Sequence, residues 1–354
     1  MDSLPQELVD HIVSFLPKKI WEFSSPGKTP RLPGYSILSR RFQKAIESRT
    51  FETLAIRSDN HELRQFVAIQ NPLRRTYLRH FYYCIDLPPC KSALFQRFKD
   101  PAEQEANNQA FTIAIWQLFR ILQTKDHTKD ISLFIYDIVS PTDQKLRSSL
   151  GYRRYERSRI RLLMEPEKLQ LLPKVSRLAF APTTHPVLPR ICIDIATRLP
   201  DLKTLDMNID AQELLYPGLP RQDRHTLAEA ITEHSGQLKK LVNVFIAFGP
   251  LGGPCNQFLS MPDLLYPLQH DPLGVALRRW SGNIEYLDLK GTFDGTLFWP
   301  HSSESAEDHR ESPVRAKLKK IYVSLEKHTP SGWWYFMPEN ANDYGMPARN
   351  LLFM

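Results

Sequence analysis

The chain has 354 residues, a net charge of +7 and a pI of about 9.1, with 42% hydrophobic and 24% charged residues. These are ordinary globular values, so the composition excludes wholesale disorder, and the length allows about two domains. No run approaches the ~20 apolar residues that span a bilayer, and the N-terminus lacks the basic start and apolar core of a signal peptide. The positive charge permits an acidic partner or nucleic acid without identifying either.

The first predicted element is a helix within residues 4–17. Pro5 suits a first helical turn, Glu7 favours the positive end of the helix dipole, and Pro17 ends the helix. An apolar stripe with a spacing of four residues is formed by Leu8, Ile12 and Leu16, and it is widened by Val9, Val13 and Phe15.

A second amphipathic helix is predicted from about Tyr35 to Ser48. Its apolar face contains Leu38, Phe42, Ala45 and Ile46. Two helices this short bury little apolar surface by themselves, so they require either the following domain or a partner protein as a third layer.

The segments Leu4-Pro5-x-Glu7-Leu8 and Leu38-Ser39-Arg40-Arg41-Phe42, followed by Phe51-Glu52-Thr53-Leu54, resemble an F-box over residues 3–52. F-boxes bind the Skp adaptor of a ubiquitin ligase, and through Skp a cullin. The resemblance implies an F-box domain at 1–52 and a Skp-binding set made of Leu4, Pro5, Leu8, Ile12, Leu16, Leu38 and Phe42. Lys18–Gly34 is longer than the usual link between the two conserved blocks. The alternative interpretation is a pair of helices that merely caps the next domain.

Residues 53–354 alternate short β-type runs with helical stretches. Five runs read apolar-x-x-apolar, and most continue x-apolar, which suits strands with one buried face. They are Val175–Phe180, Leu202–Met207, Leu238–Val242, Ile284–Leu289 and Leu318–Val323. Helices are predicted between them at Leu188–Arg198, Asp223–Ser235 and Pro262–Trp280.

A strand followed by a helix at this spacing resembles a leucine-rich repeat. The consensus asparagine is missing and the periods are irregular, so the prediction is an α/β fold with an irregular leucine-rich-repeat-like strand–helix array at 53–354. The rival is an ordinary α/β domain with a parallel sheet.

Earlier in the chain, strands are predicted at Leu54–Ile56, Leu78–Ile85 and Ile131–Ile135. Gln104–Gln123 is predicted to be a helix. Its buried stripe is expected to contain Phe111, Ala114, Ile115, Leu118, Phe119 and Leu122. The chain as a whole resembles fungal F-box proteins with divergent leucine-rich-repeat tails.

The chain contains no recognisable catalytic signature: GxGxxG, GxxxxGK[ST], HExxH and GxSxG are all missing. His185, His225, His234 and His270 could meet in space, but no pair shows metal-ligand spacing. We therefore predict no enzyme activity, no metal and no cofactor. Cys84, Cys90, Cys192 and Cys255 show no CxxC pair, which indicates reduced thiols in the cytoplasm or nucleus.

Three further polar or aromatic segments are considered for binding or mobility. A basic cluster of Arg153, Arg154, Arg157, Arg159 and Arg161 could follow a phosphate backbone, or its arginines could pair with nearby acids. Trp333–Phe336 could bind a partner or cap the array. Residues 301–314 have almost no apolar anchor and are predicted to be a mobile loop.

The resemblance implies a substrate-recognition adaptor of a Skp–cullin–F-box E3 ubiquitin ligase that holds an unidentified protein substrate on its C-terminal domain. Two alternatives stay open: a basic protein associated with nucleic acid, and an F-box protein with a scaffolding role unrelated to ubiquitin.

Overall fold

The computed structural model describes residues 4–16, 36–69, 72–90, 98–123, 130–142, 158–181, 183–209, 218–248, 261–301 and 317–335. The predicted loop at 301–314 lies outside these residues except for His301. Helices α1 to α8 are Gln6–Ser14, Arg40–Thr50, Asn60–Ile69, Pro72–Arg75, Pro101–Leu122, Arg190–Ala196, Gly218–His234 and Pro272–Trp280. Short 3-10 turns occupy Pro166–Lys168, Ser281–Asn283 and Gly295–Leu297.

An eight-stranded sheet follows the two N-terminal helices. Its strands β1 to β8 are Thr53–Arg57, His80–Asp86, Ile131–Val139, Val175–Phe180, Thr204–Ile209, Asn243–Phe248, Tyr286–Gly291 and Lys320–Leu325. They lie in chain order, and every neighbouring pair is parallel. The predicted α/β class is therefore confirmed, with helices alternating with a parallel sheet.

The buried face of the sheet consists of apolar residues held in register across all eight strands. One row runs through Leu54, Phe81, Leu133, Leu178, Leu205, Val244, Leu287 and Ile321. The residues of this row are buried between β2 and β7 and are only partly buried at its two ends. Successive side chains of a strand point to opposite faces of the sheet. The register of this apolar row therefore decides which face is covered by the core.

The helices that follow the strands pack on that same face. The strands are in chain order and right-handed connections between parallel strands are the rule, so each connection returns on the same side of the sheet. The buried side chains of α5 to α8 belong to one cluster with the strand rows. The predicted stripe of α5 is confirmed, because all six of its residues are buried. Asp100 caps this helix by accepting a 2.8 Å hydrogen bond from the Glu103 amide.

One predicted strand was wrong, and one predicted helix is shorter than predicted. Leu238–Val242 belongs to the connection that follows α7, where Leu238 and Leu241 are buried in the core. The strand therefore begins only at Asn243. The predicted helix at Pro262–Trp280 begins only at Pro272. Asp271 stops it there, since its carboxylate accepts hydrogen bonds from the Leu273 and Gly274 amides at 3.1 and 3.0 Å.

A fully buried ion pair joins the last two described α-helices. Arg224 on α7 donates from Nε to Asp271 Oδ1 at 2.7 Å and from Nη2 to Oδ2 at 2.6 Å. The same nitrogen reaches the Thr292 carbonyl at 2.6 Å, and the guanidinium lies 5.3 Å from the Phe293 ring. The pair therefore connects the start of α8 to α7 and to the residues that follow β7.

Replacing Arg224 by Ala should lower the free energy of unfolding by about 3–5 kcal/mol, because the Asp271 carboxylate would be left buried without its partner. Lys203→Ala is the control, since Lys203 pairs with Asp130 at 2.9 Å on the surface. It should leave the free energy of unfolding nearly unchanged, because water screens this exposed pair. Urea denaturation measures both values, and equal losses would contradict a structural role for the buried pair.

Candidate interaction surfaces

Helices α1 and α2 form a small core of their own. Val9 and Val13 of α1 pack against Phe42, Ala45 and Ile46 of α2, with Leu4 and Leu16 partly buried beside them. The buried side of α1 is therefore its valine side. Of the expected stripe of Leu8, Ile12 and Leu16, the first two are exposed, whereas Leu16 packs partly buried against this core.

The Leu38–Phe42 motif is explained by its contacts with α1. Ser39 is the N-cap of α2 and accepts a 3.3 Å hydrogen bond from the Phe42 amide. The Arg41 guanidinium donates to the Leu4 carbonyl, and further along α2 Arg49 donates to the carbonyl of Val13. The two helices therefore run in the same direction. Arg49 satisfies a carbonyl at the C-terminal end of α1, where a cation also favours the helix dipole.

Several large apolar residues of this helix pair, and of the residues just before α2, are exposed. The large apolar residues exposed there are Leu8 (50%), Ile12 (44%), Phe15 (75%), Ile37 (86%) and Leu38 (45%). On α1 the first three follow one another at spacings of four and three residues, so they share one face. We call these five residues the outer apolar surface.

The residues of the expected Skp-binding set differ in exposure. Leu8, Ile12 and Leu38 are exposed, as is Pro5, whereas Leu4 and Leu16 are partly buried and Phe42 belongs to the core between the helices. Phe15 and Ile37 were not included in that set. Their apolar character and position beside the motif residues were the signals that could have added them.

The helix pair is attached to the sheet through a short connection. The Glu52 carbonyl accepts hydrogen bonds from the Arg79 and His80 amides at 2.9 and 3.0 Å, just before β1 and β2. Arg74 pairs with Glu47 of α2 at 2.8 Å, and this hydrogen bond holds the pKa of Glu47 below its ordinary value. These contacts fix α2 at the start of the sheet.

Val13→Ala and Ile12→Ala should separate the two sides of α1. Val13 is buried, so its truncation should lower the free energy of opening of α2 by about 1–3 kcal/mol. Ile12 is half-exposed, and its truncation should cost under about 1 kcal/mol. Hydrogen–deuterium exchange of the α2 amides measures both. A larger loss for Ile12→Ala would contradict the assignment of the valine side as the core.

The second candidate surface is the sheet face opposite the helices. Its central row runs through Ala55, Tyr82, Phe134, Ala179, Asp206, Phe245, Asp288 and Tyr322. Most of these side chains are half-buried or exposed, and Ala179 is the buried member of the row. We call this surface the open sheet face.

Two aromatic clusters divide the open sheet face. In the first, Tyr82 stacks on Phe134 with ring centroids 4.5 Å apart, and the guanidinium of Arg177 lies 5.4 Å from the Phe134 ring. Arg177 also pairs with Asp206 at 3.1 Å. In the second, Tyr286 lies 5.2 Å from Phe245 and 5.5 Å from Tyr322. Aromatic rings combined with arginine are typical of protein-binding surfaces.

The basic cluster is not one exposed stripe. Arg153, Arg154 and Arg157 lie outside the described residues. The Arg159 side chain is buried and pairs through Nε with Asp223 at 2.7 Å, whereas Arg161 is exposed. Burial raises the pKa of Asp223 to about 6, while Arg159 lowers it. Arg159 was expected to contact a partner, but its side chain lies in the core, where Asp223 of α7 is its counter-ion.

The four singled-out histidines do not converge. His225 and His270 line a cleft of about 350 Å³ between α7 and α8. His234 lies 3.6 Å from Asp194 on α6, and His185 is buried with Nδ1 2.8 Å from Lys99 Nζ. Within the described ranges, no three His, Cys, Asp or Glu side chains are placed to hold a metal ion.

The cysteines and the C-terminal aromatic group are described in part. Cys84 and Cys192 are buried free thiols, Cys90 is partly buried, and burial raises the pKa of Cys84 to about 12. Cys255 and Phe336 lie outside the described residues. Trp334 is buried beside His328, and the Tyr335 hydroxyl donates to the Phe293 carbonyl, so this group packs against the residues that follow β7.

No protein-family model matches the chain, and no curated protein shows significant similarity to it. In the part of the chain that is described, no helix has both the length and the apolar character required to cross a bilayer.

Proposed function

We propose that this chain is the substrate-recognition adaptor of a Skp–cullin–F-box type E3 ubiquitin ligase. Residues 1–52 would bind Skp, and through it a cullin, while the sheet domain would bind a protein substrate. The observation that carries the proposal is the outer apolar surface. It lies on a helix pair whose sequence resembles an F-box, and it is separate from the core that holds the two helices together.

The outer apolar surface has the chemistry of a docking site. Leu8 and Ile12 are half-exposed although Val9 and Val13 on the same helix are buried. Covering the exposed part of each side chain would stabilise a complex by about 1 kcal/mol, and the more exposed Phe15 and Ile37 would add more. Exposed apolar residues that cluster beside one another are typical of protein interfaces.

The sheet domain supports the second half of the proposal. Parallel strands in chain order, four of which overlap an apolar-x-x-apolar run, with helices on one side, favour an irregular leucine-rich-repeat-like array. Such an arrangement leaves the open sheet face available for a substrate. Because α2 joins β1 through Phe51 and Glu52 alone, a bound Skp would hold this face in a defined orientation.

The mechanism is positioning rather than bond chemistry. Holding a substrate near the ubiquitin-charged enzyme raises its effective concentration, and the chain itself would carry out no reaction. This role places the protein in the cytoplasm, the nucleus or both, in keeping with the expectation of reduced thiols.

The test is co-purification of the full chain with purified Skp. Ile12→Glu should reduce the affinity by at least about 100-fold, because it places a carboxylate in an apolar contact. Ile113→Glu is the matched control, since Ile113 of α5 is likewise exposed at 55% and lies on another helix. It should leave Skp binding unchanged.

Two results would contradict the proposal. The intact chain could fail to bind Skp at micromolar concentrations, or the two glutamate variants could bind Skp equally well. The far-ultraviolet circular dichroism of both variants should match that of the parent chain, which separates a lost contact from lost folding.

A further inference from the structure

Asp288 occupies the centre of the second aromatic cluster on the open sheet face. In the register of the sheet, Phe245 stands beside it on β6 and Tyr322 beside it on β8. Tyr286 precedes it by two residues on the same face of β7, and its ring contacts both neighbouring rings. The carboxylate is therefore surrounded by three aromatic side chains.

Within the described residues, Asp288 has no cationic partner. The polar contact of its carboxylate is the Tyr286 hydroxyl, at the long distance of 3.5 Å from Oδ2. The other carboxylate in this row, Asp206, is paired with Arg177. A half-buried carboxylate beside aromatic rings is electrostatically complementary to a cation, because the ring faces also carry partial negative charge.

The first cluster contains the same components with the cation in place. There the guanidinium of Arg177 lies over the Phe134 ring, 5.4 Å from its centroid, and bonds to Asp206 at 3.1 Å. In this cluster, an arginine of the chain itself binds both the aromatic ring and the carboxylate. The second combination, whose carboxylate lies two strands away on β7, has the rings and the carboxylate without a guanidinium among the described residues.

We propose that Asp288, together with Phe245, Tyr286 and Tyr322, binds an arginine side chain of the substrate protein. The guanidinium stacks on an aromatic ring and donates to the Asp288 carboxylate. Arginine fits better than lysine because its planar group can do both at once. This inference rests on the proposed function, since it takes the open sheet face as the substrate-binding surface.

The charges around Asp288 are positive, so an arginine would be bound by its contacts at this site and not by a general electrostatic attraction to the protein. Lys290 follows Asp288 on the same face of β7, and Lys320 stands opposite Tyr286 on β8. The chain as a whole carries a net charge of +7. A basic segment is therefore not attracted by the protein overall, and its binding depends on the Asp288 carboxylate and the three rings.

The experiment uses the full chain as bait for a displayed library of random twelve-residue peptides. Arginine should be enriched over its frequency in the library, and synthetic peptides with that arginine changed to lysine or glutamine should bind about tenfold more weakly or worse. Asp288→Asn should remove the arginine enrichment. Asp201→Asn removes an equal charge in the turn before β5, where Asp201 pairs with Lys240, and should preserve the enrichment.

Selected peptides without arginine enrichment, equal binding of the arginine and lysine peptides, or an Asp288→Asn variant that keeps its selectivity would each overturn the inference. Skp binding is measured on the same samples. Loss of arginine selectivity with Skp binding intact refutes the arginine site alone. Arginine selectivity in a chain that does not bind Skp refutes the adaptor role alone.

Discussion

The architecture depends on one constraint, the pairing of each strand with the strand that follows it in the chain. Because the strands are parallel, every connection must cross back over the sheet, and because they are in chain order, every connection crosses on the same side. The helices therefore cover one face, whose apolar rows form the core. The side chains that alternate with these apolar rows lie on the other face of the sheet. The existence of a broad open surface follows from topology before any individual residue is considered.

Arginines serve two different purposes in this fold. Arg224 and Arg159 are buried, and each joins α7 to another part of the chain through an aspartate. Removing such charges from water is costly, so these pairs hold elements in register and are closed to outside partners. Arg177, by contrast, lies on the open sheet face between an aromatic ring and Asp206. The net positive charge of the chain is therefore a poor guide to what it binds.

The two candidate surfaces lie on parts of the molecule that have separate cores. The outer apolar surface belongs to a helix pair held together by two valines and three α2 side chains, whereas the open sheet face rests on the large core of the sheet domain. The Glu47–Arg74 pair and the backbone bonds to Glu52 join them. The proposed adaptor role requires this arrangement, since one surface would have to hold the ligase while the other presents a substrate in a fixed position.

The sequence by itself determined those elements whose apolar pattern allows only one buried face. The α5 stripe and the apolar-x-x-apolar runs of β4, β5, β7 and β8 were predictable, because each pattern leaves a single face to bury. On α1, however, Leu8/Ile12 and Val9/Val13 are two adjacent stripes with the same four-residue spacing, and only packing against Phe42 decided which one faces inward. The tertiary structure likewise decided that Arg159 is buried and that Asp288 lies among three rings. These outcomes depend on residues from strands and helices far apart in the chain, which a local pattern does not bring together.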